Sequence, residues 1–117
     1  MKTFIFALLI ISSSAYSDEW SRSDTYRETA YLTLHTIDWM QTREISRNPN
    51  YYEQNNILGS HPTIQEVDRY FAVTAIAHLG ISYIIPVEYR VPFQYISIGV
   101  EFGAVAHNYS IGVSARF

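Results

Sequence analysis

The chain contains no cysteine, and its only lysine, Lys2, lies next to the N-terminus. The absence of cysteine excludes disulfides, thiolate zinc sites and lipidated cysteines. Basic residues are few, 8 against 11 acidic residues among 117, and they form no cluster, which argues against nucleic acid as a partner. A small exported domain without covalent cross-links must gain its stability from lipid, from a partner or from tightly packed helices.

The sequence also lacks the short motifs that accompany common catalytic chemistry. No nucleophile elbow, phosphate-binding loop, HExxH or CxxC motif is present. We therefore assign no catalytic residue, no metal ligand and no cofactor, and we favour a non-enzymatic role while leaving an enzyme open.

Residues 1–17 have the pattern of a secretory signal peptide. Lys2 gives a positive start, residues 4–11 are apolar, and residues 12–17 are small or polar. An uncleaved anchor is the alternative, but the apolar stretch rises only ~12 Å as a helix, against a hydrocarbon core of ~30 Å. We expect cleavage before Asp18, which leaves one small domain over residues 18–117. That domain carries seven arginines and eleven acidic residues, a net charge of −4.

Two long, nearly uncharged runs, 70–87 and 91–115, occupy the C-terminal half of the chain. The first would reach ~27 Å as a helix, enough to cross a bilayer. We therefore expect transmembrane helices in the bacterial cell envelope, in the inner membrane or alternatively in the outer membrane. Membrane lipid is the expected partner, together with another envelope protein or a second copy of the chain.

Capping signals divide the domain into three helices. Thr25 and Glu28 have the spacing of a capping box, and so do Thr63 and Glu66. We predict helices over about 25–47, 63–85 and 92–108, with breaks at Asn48-Pro49 and at Pro86. The expected fold is all-α, a three-helix membrane-associated bundle or hairpin with a short extended C-terminal tail.

The C-terminal tail leaves an alternative open. Apolar residues fall on every second position of 109–117, and the chain ends on an aromatic residue. This alternation resembles the closing strand of outer-membrane β-barrels, so an outer-membrane β-barrel-like protein is a second alternative. A barrel needs at least eight strands of ~9–11 residues, for which the domain has barely enough length.

Polar side chains within the apolar segments are the first candidates for a site, because charge is costly in hydrocarbon. Four of them follow the spacing of one face of the first helix, namely His35, Asp38, Gln41 and Thr42. They either form a buried hydrogen-bond seam or ligand site, or they face water on an amphipathic helix. The intramembrane candidates are His35, Asp38, Gln41, Thr42, His78, Glu101 and His107.

Asp38, His78 and Glu101 could meet if the three helices pack together. Two carboxylates and an imidazole could then bind a metal or share protons, which makes a small intramembrane enzyme or a metal/proton site the alternative function. We favour the simpler interpretation, in which these side chains join the helices through hydrogen bonds.

The segment 48–62 is longer than a simple connection between helices requires, which favours a binding role. Gly59 is expected to adopt a positive φ, and the asparagines can close local turns. The loop candidates are Glu53, Asn55, Asn56, Gly59, His61 and Pro62.

Three sequence blocks carry a resemblance. Asp38-x-x-Gln41-Thr42, the loop Glu53-x-Asn55-Asn56-Ile57-Leu58-Gly59-x-His61-Pro62, and Val67-Asp68-x-Tyr70-Phe71 are similar to those of an uncharacterised group of small bacterial and phage proteins. Its loop reads E-x-N-P-[IL]-L-G-x-H-P, so Asn56 stands here in place of a proline. The resemblance implies a helical, membrane-associated protein in which the segment 38–71 matters most, and it implies no established activity.

Overall fold

The computed structural model describes residues 19–115, and within them it contains three helices and no β-strand. They are α1 (Arg22–Arg47), α2 (Ile64–Ile84) and α3 (Val87–Ser110). The predicted all-α class and helix order are confirmed. α1 packs against both other helices, which contact each other much less. The predicted signal peptide and the last two residues of the chain lie outside the described residues.

The two helix starts that were predicted from capping boxes have different outcomes. The box at Thr63 and Glu66 is confirmed, with backbone-to-side-chain distances of 3.1 and 3.3 Å. The box at Thr25 and Glu28 is wrong, because Ser21 and Asp24 cap α1 one turn earlier. The Thr25 hydroxyl instead accepts a hydrogen bond from the Trp20 indole at 2.7 Å. Glu28 therefore takes no part in capping, and its side chain is buried in the interior.

The third helix is longer than predicted at both ends. It begins after Pro86 and contains Pro92, whereas the sequence predicts that the helix starts near Pro92. At the C-terminus Gly112 has φ +93°. The Val113 amide bonds to the Asn108 carbonyl at 2.9 Å, and the Gly112 amide bonds to the Tyr109 carbonyl at 3.1 Å. This is a Schellman ending, so the alternating tail reflects a helix end rather than a strand within residues 19–115.

The bundle has a polar interior, and the outward sides of α2 and α3 are largely apolar. Ten polar or charged residues are buried between the described helices, against six aliphatic or aromatic ones. Large apolar side chains point outward instead, including Ile76, Ile96 and Val100, which are 74%, 67% and 66% exposed. In most globular proteins polar groups lie mainly outside. Polar contacts therefore hold these helices together.

The outer surface carries no charge over the middle of all three helices. In the segments 29–42, 70–84 and 91–110 the only charged side chains are Asp38 and Glu101, and both line a cavity beside the loop. On α1 the exposed positions are Thr29, Ala30, Thr33 and Thr36, so this helix contributes little apolar surface. We call the exposed surface of segments 70–84 and 91–110 the apolar belt, which spans ~22 Å along α2 at the rise of an α-helix.

No helix within residues 19–115 is both long enough and apolar enough to cross a membrane. The predicted crossing by the second helix is therefore not supported. The inward side of α2 is polar, and its Thr74, His78 and Ser82 bond to His35 and Glu28 of α1.

A buried guanidinium joins three helix ends. Arg90 is fully buried, and its Nη1 donates to Asp24 Oδ2 in the first turn of α1 at 3.0 Å. Its other nitrogens donate to carbonyls at the end of α2, namely Ser82 at 2.6 Å and both Tyr83 and Ile85 at 3.2 Å. These carbonyls lie at the negative end of the α2 dipole, which favours a cation.

Replacing Arg90 should be severely destabilising. Arg90→Ala removes one of the two guanidinium groups that pair with buried Asp24 and leaves the last carbonyls of α2 without their donor, which should cost about 3–5 kcal/mol of unfolding free energy. Chemical denaturation followed by circular dichroism measures the loss. The control is Arg22→Ala, which removes an exposed arginine from the same end of the bundle and should change stability by less than about 0.5 kcal/mol. Equal stabilities of the two variants would contradict this role for Arg90.

Candidate functional site

A continuous seam of polar side chains runs through the bundle, beginning beside Arg90. Glu28 accepts hydrogen bonds from His78 Nδ1 at 2.8 Å, from the Ser82 hydroxyl at 2.9 Å and from the Gln94 amide at 3.1 Å. Burial raises the pKa of Glu28, but these bonds outweigh burial and hold the pKa below its usual value. Glu28 therefore stays ionised inside the protein and connects all three helices.

Stacked rings continue the seam along the bundle axis. Tyr31 lies between two histidines, with centroid distances of 3.5 Å to His78 and 5.2 Å to His35. Phe93 stacks near the other face of His78 at 4.6 Å. Burial raises the pKa of the Tyr31 phenol, so the ring remains neutral. The stack fills the middle of the bundle with flat, tightly packed surfaces.

His35 links the stack to a second acid. Its Nε2 donates to the Phe71 carbonyl at 3.1 Å, and its Nδ1 lies 3.3 Å from Glu101 Oε1. No side-chain or backbone N–H and no Ser, Thr or Tyr hydroxyl of residues 19–115 donates to Glu101 Oε2. Glu101 instead shares a hydrogen bond with the Asp38 carboxyl, and this bond contributes to the raised pKa of Asp38.

The four polar residues predicted to share one face of the first helix all turn toward the interior. His35, Gln41 and Thr42 are buried, and Asp38 is half-buried. Gln41 donates to the Val105 carbonyl of α3 at 3.3 Å and accepts from Asn108 at 3.0 Å. The stripe is therefore an inter-helix seam and not a water-exposed face.

A cavity of about 690 Å³ opens where the seam reaches the segment between α1 and α2. We call it the loop cavity. Its walls come from α1, from residues 50–55 and 58, from the start of α2 and from the C-terminal half of α3. The ionisable groups that line it are Asp38, Tyr51, Tyr52, Glu53, Tyr70, Glu101 and His107.

Asp38 has a strongly perturbed acidity in this cavity. Burial raises its pKa to about 9, helped first by the negative charge of Glu101 and a hydrogen bond with it, and then by the charge of Glu53. Thr42 opposes this shift by donating to Asp38 Oδ1 at 3.3 Å. At neutral pH the Asp38–Glu101 pair therefore holds a proton, which limits the repulsion between the two acids.

The predicted group of Asp38, His78 and Glu101 is only partly assembled. Asp38 and Glu101 line the same cavity, whereas His78 bonds to Glu28 on the opposite side of Tyr31. Among the described residues no group of three or more His, Cys, Asp and Glu side chains could hold a metal ion. The predicted alternative of a metal site formed by Asp38, His78 and Glu101 is therefore not supported within residues 19–115.

The loop candidates separate into lining and structural residues. Glu53 and Asn55 line the cavity, while Asn56 and His61 are exposed outside it. Gly59 has the expected positive φ, +84°. The carbonyl of buried Pro62 accepts a hydrogen bond from Ser46 at 2.7 Å, which attaches the loop to α1.

Sequence reasoning missed the end of the seam that contains Asp24, Glu28, Arg90 and Gln94. A signal for the first two was present, because positions 24, 28, 31 and 35 continue the predicted polar face toward the N-terminus. No comparable pattern marks Arg90, which lies between two prolines with Glu88 two residues before it.

No family model matches the chain, and comparisons with curated proteins and with solved structures gave no match either. The functional interpretation therefore depends on the geometry of the seam and the cavity.

Asp38 should make the stability of the protein fall as the pH rises. Its pKa is about 9 in the folded state against an ordinary value of 3.8, so its stabilising contribution is complete below about pH 4 and is lost as the pH approaches 9. The limiting slope is about 1.4 kcal/mol per pH unit. The measurement is urea unfolding of wild type and of Asp38→Asn at several pH values from about 5 to about 9, which lie within this window. The free energy of unfolding should fall with pH in wild type and should not show this slope in the variant.

The control for this titration is Glu88→Gln, which removes an exposed acid at the opposite end of the bundle. It should keep the wild-type slope. The prediction fails if Asp38→Asn and wild type depend on pH in the same way.

Proposed function

We propose that this protein is a non-enzymatic, membrane-associated component of the bacterial cell envelope, which contacts lipid through its apolar belt. The observation that carries this proposal is the inverted polarity of the bundle. A polar seam joins the helices, and large aliphatic and aromatic side chains face outward.

The apolar belt is difficult to reconcile with water as its only surroundings. Monomeric proteins in water rarely expose a continuous apolar surface larger than a few hundred Å². Here α2 and α3 present aliphatic and aromatic residues over most of their length, among them Val73, Leu79 and Phe102. Acyl chains would cover such a surface without requiring a specific partner.

The polar seam fits the same environment. In lipid there is little hydrophobic force between helices, so polar side chains and close packing provide the attraction. Glu28, His35 and Gln41 each bond to another helix, which is the arrangement that such an environment requires. The exposed apolar side chains do not contribute to these contacts.

The proposed location is the membrane of the cell envelope, with the inner membrane favoured and the outer membrane as the alternative. The signal-like sequence of residues 1–17 supports export, and the resemblance to small membrane-associated bacterial and phage proteins supports the association with lipid. Lipid is the proposed partner, with a second copy or another envelope protein as the further candidates.

A second candidate function is a proton-binding site formed by Asp38 and Glu101 without His78. It is favoured by the raised pKa of Asp38 and by its hydrogen bond with the Glu101 carboxyl. The pH dependence of Asp38→Asn tests whether this proton is held.

Flotation with phosphatidylethanolamine–phosphatidylglycerol vesicles tests the proposed function. The purified chain should float with the vesicles, and Ile76→Glu with Ile96→Glu should weaken the partition by more than tenfold. Both positions lie in the apolar belt, 74% and 67% exposed, and neither lines the loop cavity, so the charges disturb lipid contact and not the interior. An ionised carboxylate is costly among acyl chains because they cannot solvate it.

The matched control is Gln65→Glu, which places the same charge on an exposed position of α2 outside the belt. It should float like wild type. A chain that stays in the aqueous fraction, or belt variants that float as well as the control, would overturn the proposed association with lipid.

A further inference from the structure

We propose that a groove between the loop 48–62 and the outward side of α2 binds the headgroup of an anionic phospholipid, with the guanidinium of Arg69 on the phosphate. The inference rests on the proposed association with lipid and deepens it, because it names the class of lipid and the part of the chain that meets the headgroup. Three features carry it: an arginine without an internal partner, an apolar groove beside it, and the continuity of both with the apolar belt.

The groove lies beside the loop cavity and has a volume of about 300 Å³. The loop forms one wall and the first turns of α2 form the other. Its lining residues are Ile57, Leu58, Glu66, Arg69, Tyr70, Val73 and Thr74. Ile57, on the loop wall, is 82% exposed and is the most exposed large apolar side chain in the part of the chain that the structure describes. Apolar side chains that are exposed together in this way mark a contact surface.

Arg69 is the cation of the groove, and its donors are available to an external anion. It is exposed and makes no hydrogen bond or ion pair with the described part of the chain. The two other arginines at this end of the bundle are paired, Arg43 with Asp68 at 2.6 Å and Arg47 with Glu44 at 3.8 Å. A guanidinium presents a planar fork of N–H donors that matches the oxygens of a phosphate.

The acid in the groove is engaged elsewhere. Glu66 precedes Arg69 by three residues, but its carboxylate serves the capping box at the start of α2. Its Oε1 accepts a hydrogen bond from the backbone N–H of Thr63 at 3.3 Å. The positive end of the helix dipole also favours a carboxylate at this position. The groove therefore combines apolar walls with a cation that no internal acid pairs, which complements an amphiphile with an anionic head.

Arg69 begins a line of side chains that continues into the apolar belt. Positions 69, 73 and 76 share one face of α2 by their spacing, and Val73 and Ile76 are 58% and 74% exposed. Ile76 lies ~10 Å beyond Arg69 at the rise of an α-helix. The headgroup region of one leaflet is ~5–8 Å thick. A phosphate on Arg69 therefore places Val73 at the boundary of the acyl chains and Ile76 among them.

Tyr70 fits the same depth in the membrane. It is the first residue of the belt and lines the groove between the cation and the aliphatic side chains. Tyrosine is enriched at the level of the headgroups, because its ring is apolar and its hydroxyl is polar. Along α2 the groove thus presents a cation, an aromatic ring and aliphatic side chains, in the order in which a phospholipid presents its phosphate, its glycerol backbone and its acyl chains.

Flotation with phosphatidylglycerol and with phosphatidylcholine vesicles of equal acyl composition tests the groove. The measured quantity is the ratio of the partition of the full purified chain into the two kinds of vesicle. Arg69→Gln should lower this ratio about fivefold, the effect of one arginine near an anionic surface. The phosphate of phosphatidylcholine is already offset by its own ammonium group, so it gains less from Arg69. Because Arg69 is exposed and unbonded, urea unfolding of the variant should match that of wild type.

The matched control is Arg22→Gln, which removes the same charge from an exposed position at the opposite end of the bundle. It should keep the wild-type ratio. The proposal is overturned if Arg69→Gln keeps this ratio as well. An equal decrease in both variants would also overturn it, because that is the effect of net charge alone.

Failure of the groove is distinguishable from failure of lipid association. A chain that floats with both vesicles in a ratio independent of Arg69 has no headgroup site but keeps its contact through the belt. A chain that floats with neither refutes both proposals. Sedimentation without lipid examines a second copy of the chain as the occupant. A dimer in wild type that becomes a monomer in Arg69→Gln would assign the groove to a protein contact and would overturn the proposal.

Discussion

The structure depends on the burial of one ion pair, that of Arg90 with Asp24. Arg90 is fully buried, and a buried guanidinium is tolerated only when its donors find acceptors. Those acceptors are the Asp24 carboxylate and the last carbonyls of α2, so the start of α1, the end of α2 and the first turns of α3 must meet at one point. Because α2 and α3 share few other contacts, this point fixes their relative position.

From that end the polar seam extends along α1, and it explains why the exterior can be apolar. The helices are joined by hydrogen bonds through Glu28, His35 and Gln41, so the hydrophobic effect is not required between them. Inside the bundle the effective dielectric is low, which strengthens each satisfied bond and raises the cost of each unsatisfied one. The outward aliphatic side chains remain available for lipid.

The sequence allowed the parts of this fold that depend on local rules to be predicted. The α2 capping box, the positive φ of Gly59 and the three-helix order all follow from residue types and short spacings. The early start of α1 was missed because two overlapping capping signals compete, and only tertiary contacts place Glu28 inside. For Asp38 a buried seam and a water-facing stripe were both left open by the sequence, and the partner of His78 depends on the relative rotation of two helices. No single-sequence pattern encodes that rotation.

The two ends of the seam balance their buried acids in different ways. Near Arg90, Asp24 contacts the guanidinium groups of Arg27 and Arg90, and every carboxylate oxygen of Asp24 and Glu28 has a donor. At the loop cavity no lysine or arginine of the described residues lines the space beside Asp38, Glu53 and Glu101. A hydrogen bond between Asp38 and Glu101 and the contact of Glu101 with His35 limit the repulsion there instead. Because a proton replaces the arginine at this end, its contribution to stability depends on pH, whereas that of the Arg90 end does not within the neutral range.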